Sequence, residues 1–292
     1  MGINNTCVIY RFYQYNDNVR DHILKLYNDT KDKYDFYAVY HVYEDNSNYI
    51  EDFRLPEHIN IINHKLSDII KYTPYENIQL ELNIPIWNNS SFSKNIGGDN
   101  ILSVQMFWFY KLHTEYEYYW FIEGDCYFNG NYSNLFDEFI NKNDDLLTAH
   151  YYRFGDIAQK FYNGYNNWAF YKYNLPDNYI IFYKCWTGFI RISNKLLDKH
   201  IELVNKGCYG SDEVLIPTIG VYEGFKVNDF NIYGNFYKLG SQDGAHYIFH
   251  SPKNQLSSIN VGEYNYTIED LDKEENKNKI LHKFDLFYKR IN

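Results

Sequence analysis

Two carboxylates, Glu123 and Asp125, stand on either side of one glycine directly after a run of bulky apolar residues, Tyr118 to Ile122. A run of this length, rich in aromatic residues, predicts a strand that is buried on both faces, as in a parallel sheet. An unpaired carboxylate inside such a strand would be very costly, so we expect both acids to lie where the strand leaves the sheet. Ligands of open α/β sheets bind at the carboxyl ends of the strands, so Glu123 and Asp125 are candidate site residues. The plainer interpretation is that they lie in a solvated turn around Gly124.

The rest of the chain predicts alternating strands and helices, which is typical of an α/β domain. The other predicted strands cover Thr6 to Tyr13, Tyr34 to Tyr43, Asn60 to Asn63, Asp145 to His150, Tyr179 to Ser193 and Phe225 to Phe230. The predicted helices cover Asp17 to Asn28, Asp99 to His113, Asn131 to Ile140, Asn194 to Asn205 and Ser211 to Ile219. In the last of these, Asp212 and Glu213 are ordinary acidic residues for the first turn of a helix.

Two segments break this alternation. The segment from Tyr151 to Asp177 is rich in Tyr, Asn and Gly and lacks periodicity, which predicts a functional loop at a cleft. Residues 261–292 form a charged tail, in which Ile280 to Ile291 is amphipathic enough for a docking helix. We therefore expect one domain over residues 1–260 followed by this tail.

Composition excludes several classes of protein. The formal net charge of -10 over 292 residues argues against a nucleic-acid partner, because neutralising phosphates requires clustered Lys and Arg. The four cysteines are scattered without CxxC spacing, which indicates neither a zinc site nor a disulfide framework. No apolar run reaches membrane-spanning length and no signal pattern opens the chain, so we expect a soluble cytoplasmic protein without a transmembrane segment.

The order of several motifs resembles that of nucleotide-sugar glycosyltransferases with the GT-A fold, over roughly residues 6 to 253. In that fold a DxD-like acidic motif follows a central strand and holds a divalent metal on the donor diphosphate. Glu123-Gly124-Asp125 stands in that position, with Glu in place of the first Asp. The other matching pieces are the helix Asp99 to His113, the segment Trp186 to Ser193, Ser211-Asp212-Glu213 and His250-Ser251-Pro252-Lys253.

This resemblance implies a GT-A-like fold, a mixed and mainly parallel central sheet flanked by helices, and transfer of a UDP- or GDP-linked sugar. The acceptor would be a glycan, a protein or a lipid. The implied metal ligands for Mn²⁺ or Mg²⁺ are Asp125 and His250, and the candidate general bases are Asp212 and Glu213. The implied contacts to the nucleotide-sugar are Arg11, Asp99, Glu123, Trp186, Gly188 and Lys253.

Each of these assignments has a plainer alternative. Trp186 is either a stacking platform for a sugar, with Gly188 admitting the ring, or a residue of the core. The alternative for His250 is a residue packed beside Phe249, and the alternative for Arg11 and Lys253 is a solvated cation. For the whole protein, the alternatives are an inactive GT-A-like protein that binds a glycan or a partner, and a metal-dependent phosphotransferase or hydrolase.

Overall fold

The computed structural model describes residues 5–74, 76, 101–155, 175–208, 212–236, 272–274 and 277–282. Within these ranges the chain forms a seven-stranded sheet, a two-stranded sheet and helices on both sides. The large sheet contains β1 (Thr6–Phe12), β2 (Asp35–His41), β3 (Asn60–His64), β4 (Tyr118–Glu123), β6 (Leu146–Gly155), β7 (Phe182–Ser193) and β8 (Val227–Asp229). The small sheet pairs β5 (Cys126–Phe128) with β9 (Ile280–His282).

The strand order in the large sheet is β3-β2-β1-β4-β7-β6-β8. Strands β1 to β4 are mutually parallel, β7 runs antiparallel to both β4 and β6, and β8 is parallel to β6. This is a mixed, mainly parallel sheet flanked by helices, consistent with a Rossmann-like GT-A fold, and it confirms the predicted fold class. The carboxyl ends of β1 to β4 therefore meet at one edge, where the amino-terminal half of β7 also begins.

The helices are α1 (Asp17–Thr30), α2 (Leu66–Ile69), α3 (Ile101–Leu112), α4 (Tyr132–Asp137), α5 (Asn194–Asn205) and α6 (Asp212–Tyr222). Side-chain caps explain where α1 and α5 begin. Asn16 accepts a hydrogen bond from the backbone N–H of Val19 at 3.0 Å, and Ser193 accepts one from Leu196 at 3.2 Å. Such caps satisfy N–H groups that the first turn of a helix leaves unpaired.

Strand β4 separates two hydrophobic core clusters, one on each face of the sheet. Tyr119 and Phe121 belong to the cluster that includes residues of α3, α5 and α6. Trp120 and Ile122 belong to the cluster that includes residues of α1 and α4. All four side chains are buried. The prediction of a strand buried on both faces is thus confirmed, and the alternation of side chains explains it.

Two sequence predictions need correction. Strand β6 does not end at His150 but continues through Gly155, so Tyr151 starts no loop. Residues 280–282 of the predicted docking helix are a strand, because they pair with β5. Residues 283–292 lie outside the described ranges, as do residues 156–174 of the predicted cleft loop. Across the parts of the chain that the structure describes, no helix combines the length and the hydropathy needed to span a bilayer.

Candidate functional site

The chain leaves the sheet after Glu123, and β5 begins at Cys126, so Gly124 and Asp125 connect the two strands. We call the segment 123–126 the acidic turn. One carboxylate oxygen from each of Glu123 and Asp125 and the sulfur of Cys126 all lie within 4.8 Å of one another. The predicted position of both acids, where the strand leaves the sheet, is confirmed.

The acidic turn has the oxygen donors that a hard divalent cation requires. Carboxylates are preferred ligands of Mg²⁺ and Mn²⁺, whereas a thiol suits softer metals. Burial, reinforced by the charges of Asp125 and Glu123, raises the pKa of the Cys126 thiol well above its usual value. The carboxylates of Glu123 and Asp125 therefore fit Mg²⁺ or Mn²⁺, with Cys126 as a buried neighbour.

Gly124 allows the acidic turn to lie directly against the end of β1. A Cβ atom at this position would be 3.1 Å from Cβ of Phe12 and 3.2 Å from the carbonyl oxygen of Arg11. The Tyr10 hydroxyl donates a hydrogen bond to the carbonyl oxygen of Gly124 at 2.9 Å. The glycine between the two acids is thus explained by close approach of backbone to backbone.

Arg11 brings a buried positive charge to the acidic turn. It is the register partner of Glu123 in the neighbouring strand, and both side chains point to the face of the sheet that carries α3. Burial lowers the pKa of the Arg11 guanidinium, and the carboxylates of Glu123, Asp212 and Asp125 oppose that shift. One guanidinium among three carboxylates leaves an excess of negative charge, which is complementary to a divalent cation.

The guanidinium of Arg11 is held from α3. Its Nη1 donates a hydrogen bond to Oε1 of Gln105 at 2.8 Å, and the amide nitrogen of Gln105 lies 2.9 Å from Nε2 of His64. The Nε of Arg11 has no hydrogen-bond partner among the described residues. The sequence analysis did not identify Gln105 or His64. His64 is the last residue of β3 and lies at the same edge of the sheet as the acidic turn, and this position could have indicated a role in the site.

Asp212 and Glu213, the two candidate bases, have different surroundings. Asp212 accepts hydrogen bonds from the backbone N–H of Ser103, at 3.0 Å, and from the Ser103 hydroxyl. Because Ser103 lies in the first turn of α3, Asp212 caps that helix from a distant part of the chain. An oxygen of Glu213 lies 3.5 Å from Nζ of Lys184, with each side chain about one-tenth exposed. Of the two candidate bases, only Asp212 takes part in the cap of α3. Lys184, the partner of Glu213, was not identified from the sequence.

Trp186 and Gly188 pack against each other. Trp186 is only 5% exposed and belongs to a hydrophobic core cluster. A Cβ atom on Gly188 would lie 2.5 Å from Cζ2 of the indole, so the ring covers this glycine. The packing favours the core interpretation of Trp186 and explains Gly188 without a sugar. The remaining predicted site residues, Asp99, His250 and Lys253, lie outside the described residues.

Several solved structures align with this chain at low sequence identity. Mouse xyloside xylosyltransferase 1 in its apo form is 12% identical, with a TM-score of 0.41, and the match covers 77% of this chain and 85% of that one. The mannosyltransferase Ktr4p from S. cerevisiae is 13% identical, with a TM-score of 0.39 and coverage of 74% and 65%. A Bacillus anthracis protein described as a glucose-1-phosphate thymidylyltransferase, in complex with a sucrose, is 11% identical, with a TM-score of 0.39 and coverage of 77% and 87%.

No protein-family model matches the chain, and no curated protein sequence matches it. The fold assignment therefore depends on the strand order and directions described above.

Proposed function

We propose that this protein is a glycosyltransferase that moves a sugar from a UDP- or GDP-linked donor to a hydroxyl acceptor on a glycan, a protein or a lipid, with a divalent cation. The observation that carries the proposal is the convergence of Glu123 and Asp125 within 4.8 Å, beside the buried cation Arg11. This cluster lies at the carboxyl edge of β1 and β4, the usual binding edge of an open α/β sheet.

Asp125 and Glu123 would hold Mg²⁺ or Mn²⁺, and His250 remains a predicted third ligand. When bound, such a cation neutralises negative charge that develops on a leaving diphosphate. Arg11 has two tasks in this proposal. It reduces the repulsion between the carboxylates, and it adds positive charge near the phosphate groups of the donor.

For a transfer that inverts the anomeric carbon, a carboxylate must take the proton of the acceptor hydroxyl as that hydroxyl attacks. We assign this role to Glu213 rather than Asp212, because both oxygens of Asp212 already accept hydrogen bonds from Ser103. The ammonium group of Lys184, 3.5 Å from an oxygen of Glu213, places a positive charge beside this carboxylate.

The first experiment measures binding of Mn²⁺ and then of UDP and GDP by isothermal titration calorimetry, followed by a screen of nucleotide-sugar donors. D125N and E123Q should weaken Mn²⁺ binding and abolish transfer. The matched controls are D198N and E117Q. Glu117 directly precedes β4, and Asp198 lies in the second turn of α5, which follows β7 at the same end of the sheet, opposite the acidic turn. Both acids are exposed, and both variants should behave as wild type.

The outcomes of this experiment distinguish a metal-dependent glycosyltransferase from the alternative functions. Full transfer by D125N in the presence of EDTA would overturn the metal proposal. Nucleotide binding with hydrolysis but no transfer to any acceptor would favour the phosphotransferase or hydrolase alternative, and absence of nucleotide binding would favour the inactive binding protein.

E213Q should lower kcat about 10²- to 10⁴-fold with unchanged donor affinity. Unchanged turnover would eliminate Glu213 as the base.

A further inference from the structure

A chain of buried hydrogen bonds lies beneath the acidic turn, on the face of the sheet that carries α1. The Tyr10 hydroxyl donates to the carbonyl oxygen of Gly124 at 2.9 Å and lies 3.2 Å from Nδ1 of His22. Nε2 of His22 lies 2.7 Å from the Tyr132 hydroxyl, which accepts a hydrogen bond from the backbone N–H of Phe128 at 2.8 Å. Tyr10, His22 and Tyr132 are each at most 3% exposed.

The position of every hydrogen in this chain follows from its ends. A carbonyl oxygen only accepts, so the single hydroxyl hydrogen of Tyr10 points to Gly124. The Tyr10 oxygen must then accept from Nδ1 of His22, which places the imidazole proton on Nδ1. A neutral imidazole carries no second proton, so Nε2 accepts from the Tyr132 hydroxyl. Each group in this series therefore donates to the next: Phe128 N–H to Tyr132, Tyr132 to His22, His22 to Tyr10, and Tyr10 to the carbonyl of Gly124.

The protonation states that this direction requires agree with the burial of the groups. Burial, followed by the charge of Lys25, lowers the pKa of His22 from 6.5 to about 3, so the ring is neutral near neutral pH. Burial also raises the pKa values of the Tyr10 and Tyr132 hydroxyls well above their usual value, so both keep their protons. All members of the chain are therefore in the single state that satisfies each hydrogen bond.

The two backbone groups at the ends of this series of hydrogen bonds, in Gly124 and Phe128, lie on either side of Asp125. Gly124 lies between the two carboxylates, and Phe128 ends β5, the strand that follows them. Helix α1 holds the next residues as well, because Lys25 donates to the carbonyl oxygen of Gly130 and Asp29 accepts from the backbone N–H of Tyr132. Backbone on both sides of Asp125 is thus linked to α1 through polar side chains, of which His22 is buried and Lys25 and Asp29 are partly buried.

We propose that Tyr10, His22 and Tyr132 are positioning residues that set the backbone of the acidic turn so that Glu123 and Asp125 converge on a cation. They act through Gly124 and Phe128 and do not themselves contact the cation. The inference rests on the proposed function, since it assumes that the acidic turn binds Mg²⁺ or Mn²⁺. Outer groups that orient metal ligands commonly contribute about 10- to 100-fold to metal affinity.

The test compares Y10F with Y119F. Tyr119 is also fully buried and donates its hydroxyl to a backbone carbonyl, that of His113, but it lies on the other face of the sheet. Y119F loses one hydrogen bond, whereas Y10F loses both the bond to Gly124 and the bond from His22, so both variants should lose stability in urea unfolding and Y10F should lose more. Only Y10F should weaken Mn²⁺ binding, by about 10-fold or more, measured by calorimetry well below the unfolding midpoint.

Equal Mn²⁺ affinity in wild type, Y10F and Y119F would overturn the positioning role while leaving the proposed function intact. Equal weakening in both variants would also overturn it, since it would show a general effect of lost stability. Absence of Mn²⁺ binding to the wild type would instead overturn both proposals.

A second measurement needs no variant. ¹⁵N NMR of the histidine-labelled wild type at neutral pH should show His22 protonated on Nδ1 and unprotonated on Nε2. The opposite tautomer would refute the direction of the chain and with it the positioning role.

Discussion

His200 allows a quantitative prediction about acid stability. Its imidazole is fully buried between α3 and α5, with the ring of Phe107 at a centroid distance of 4.8 Å. Neither ring nitrogen has a hydrogen-bond partner in the described part of the chain. Burial alone lowers the pKa of His200 from 6.5 to about 3. The folded protein therefore keeps this ring neutral at pH values where the unfolded chain protonates it.

The sign of the effect follows from proton binding. Between about pH 6.5 and pH 3 the unfolded state binds a proton that the folded state does not, so stability falls as the pH falls. The contribution is fully present above the unfolded pKa of 6.5. For a pKa lowered from 6.5 to about 3, acidification from about pH 7 to about pH 5 costs about 2 kcal/mol of unfolding free energy.

The variant H200L replaces the imidazole with an apolar side chain of similar size. We expect the difference in unfolding free energy between about pH 7 and about pH 5 to be smaller than in wild type by about 2 kcal/mol. At neutral pH the variant should be no less stable than wild type, because no buried polar group is left unpaired. Urea unfolding followed by tryptophan fluorescence at both pH values measures these differences.

His58 supplies the control, because its side chain is exposed in the folded protein and meets water in both states. H58Q should reproduce the pH dependence of the wild type. If H200L shows the same pH dependence as the wild type, the burial argument for His200 is wrong. An equal reduction of the pH dependence in H58Q and H200L would also contradict the burial argument, because His58 is exposed.

Two further predictions concern residues that the sequence assigned to the site. In G188A the new Cβ would lie 2.5 Å from the Trp186 indole, so we expect a loss of about 1–3 kcal/mol in urea unfolding with unchanged nucleotide affinity in calorimetry. Unchanged stability with lost donor binding would instead restore Gly188 as a sugar contact. D212A removes the cap on Ser103 and should cost about 1–3 kcal/mol, which chemical unfolding would measure. Full stability with lost turnover would return Asp212 to the list of candidate bases.

Local patterns in the sequence predicted much of the fold. The bounds of α5, residues 194–205, were predicted without error, because Ser193 is a cap and the apolar residues follow a helical period. The unbroken apolar run of β4 likewise predicted a strand buried on both faces and placed the acids beyond its end. These features depend only on neighbours in the chain.

The predictions that failed, and the residues that were missed, depend on distant partners. An amphipathic pattern favoured a helix from Ile280, but pairing with β5 overrides that local preference over residues 280–282. Asp212 has the usual pattern for the first turn of its own helix, and nothing local shows that it caps α3. Arg11 was weighed against a solvated cation, and only the register of β1 and β4 shows that it lies opposite Glu123.

The pairing of β5 with β9 also affects when the acidic turn can reach its final shape. Strand β5 begins at Cys126, one residue after Asp125, and its partner strand lies at residues 280–282, about 150 positions later in the sequence. Closing so long a loop is entropically costly, and non-local pairings of this kind form slowly. On a ribosome, the chain would have to be synthesised through residue 282 before β5 acquires this neighbour. The acidic turn would therefore reach its final shape late in folding, after all strands of the large sheet, which ends in sequence at Asp229, have been synthesised.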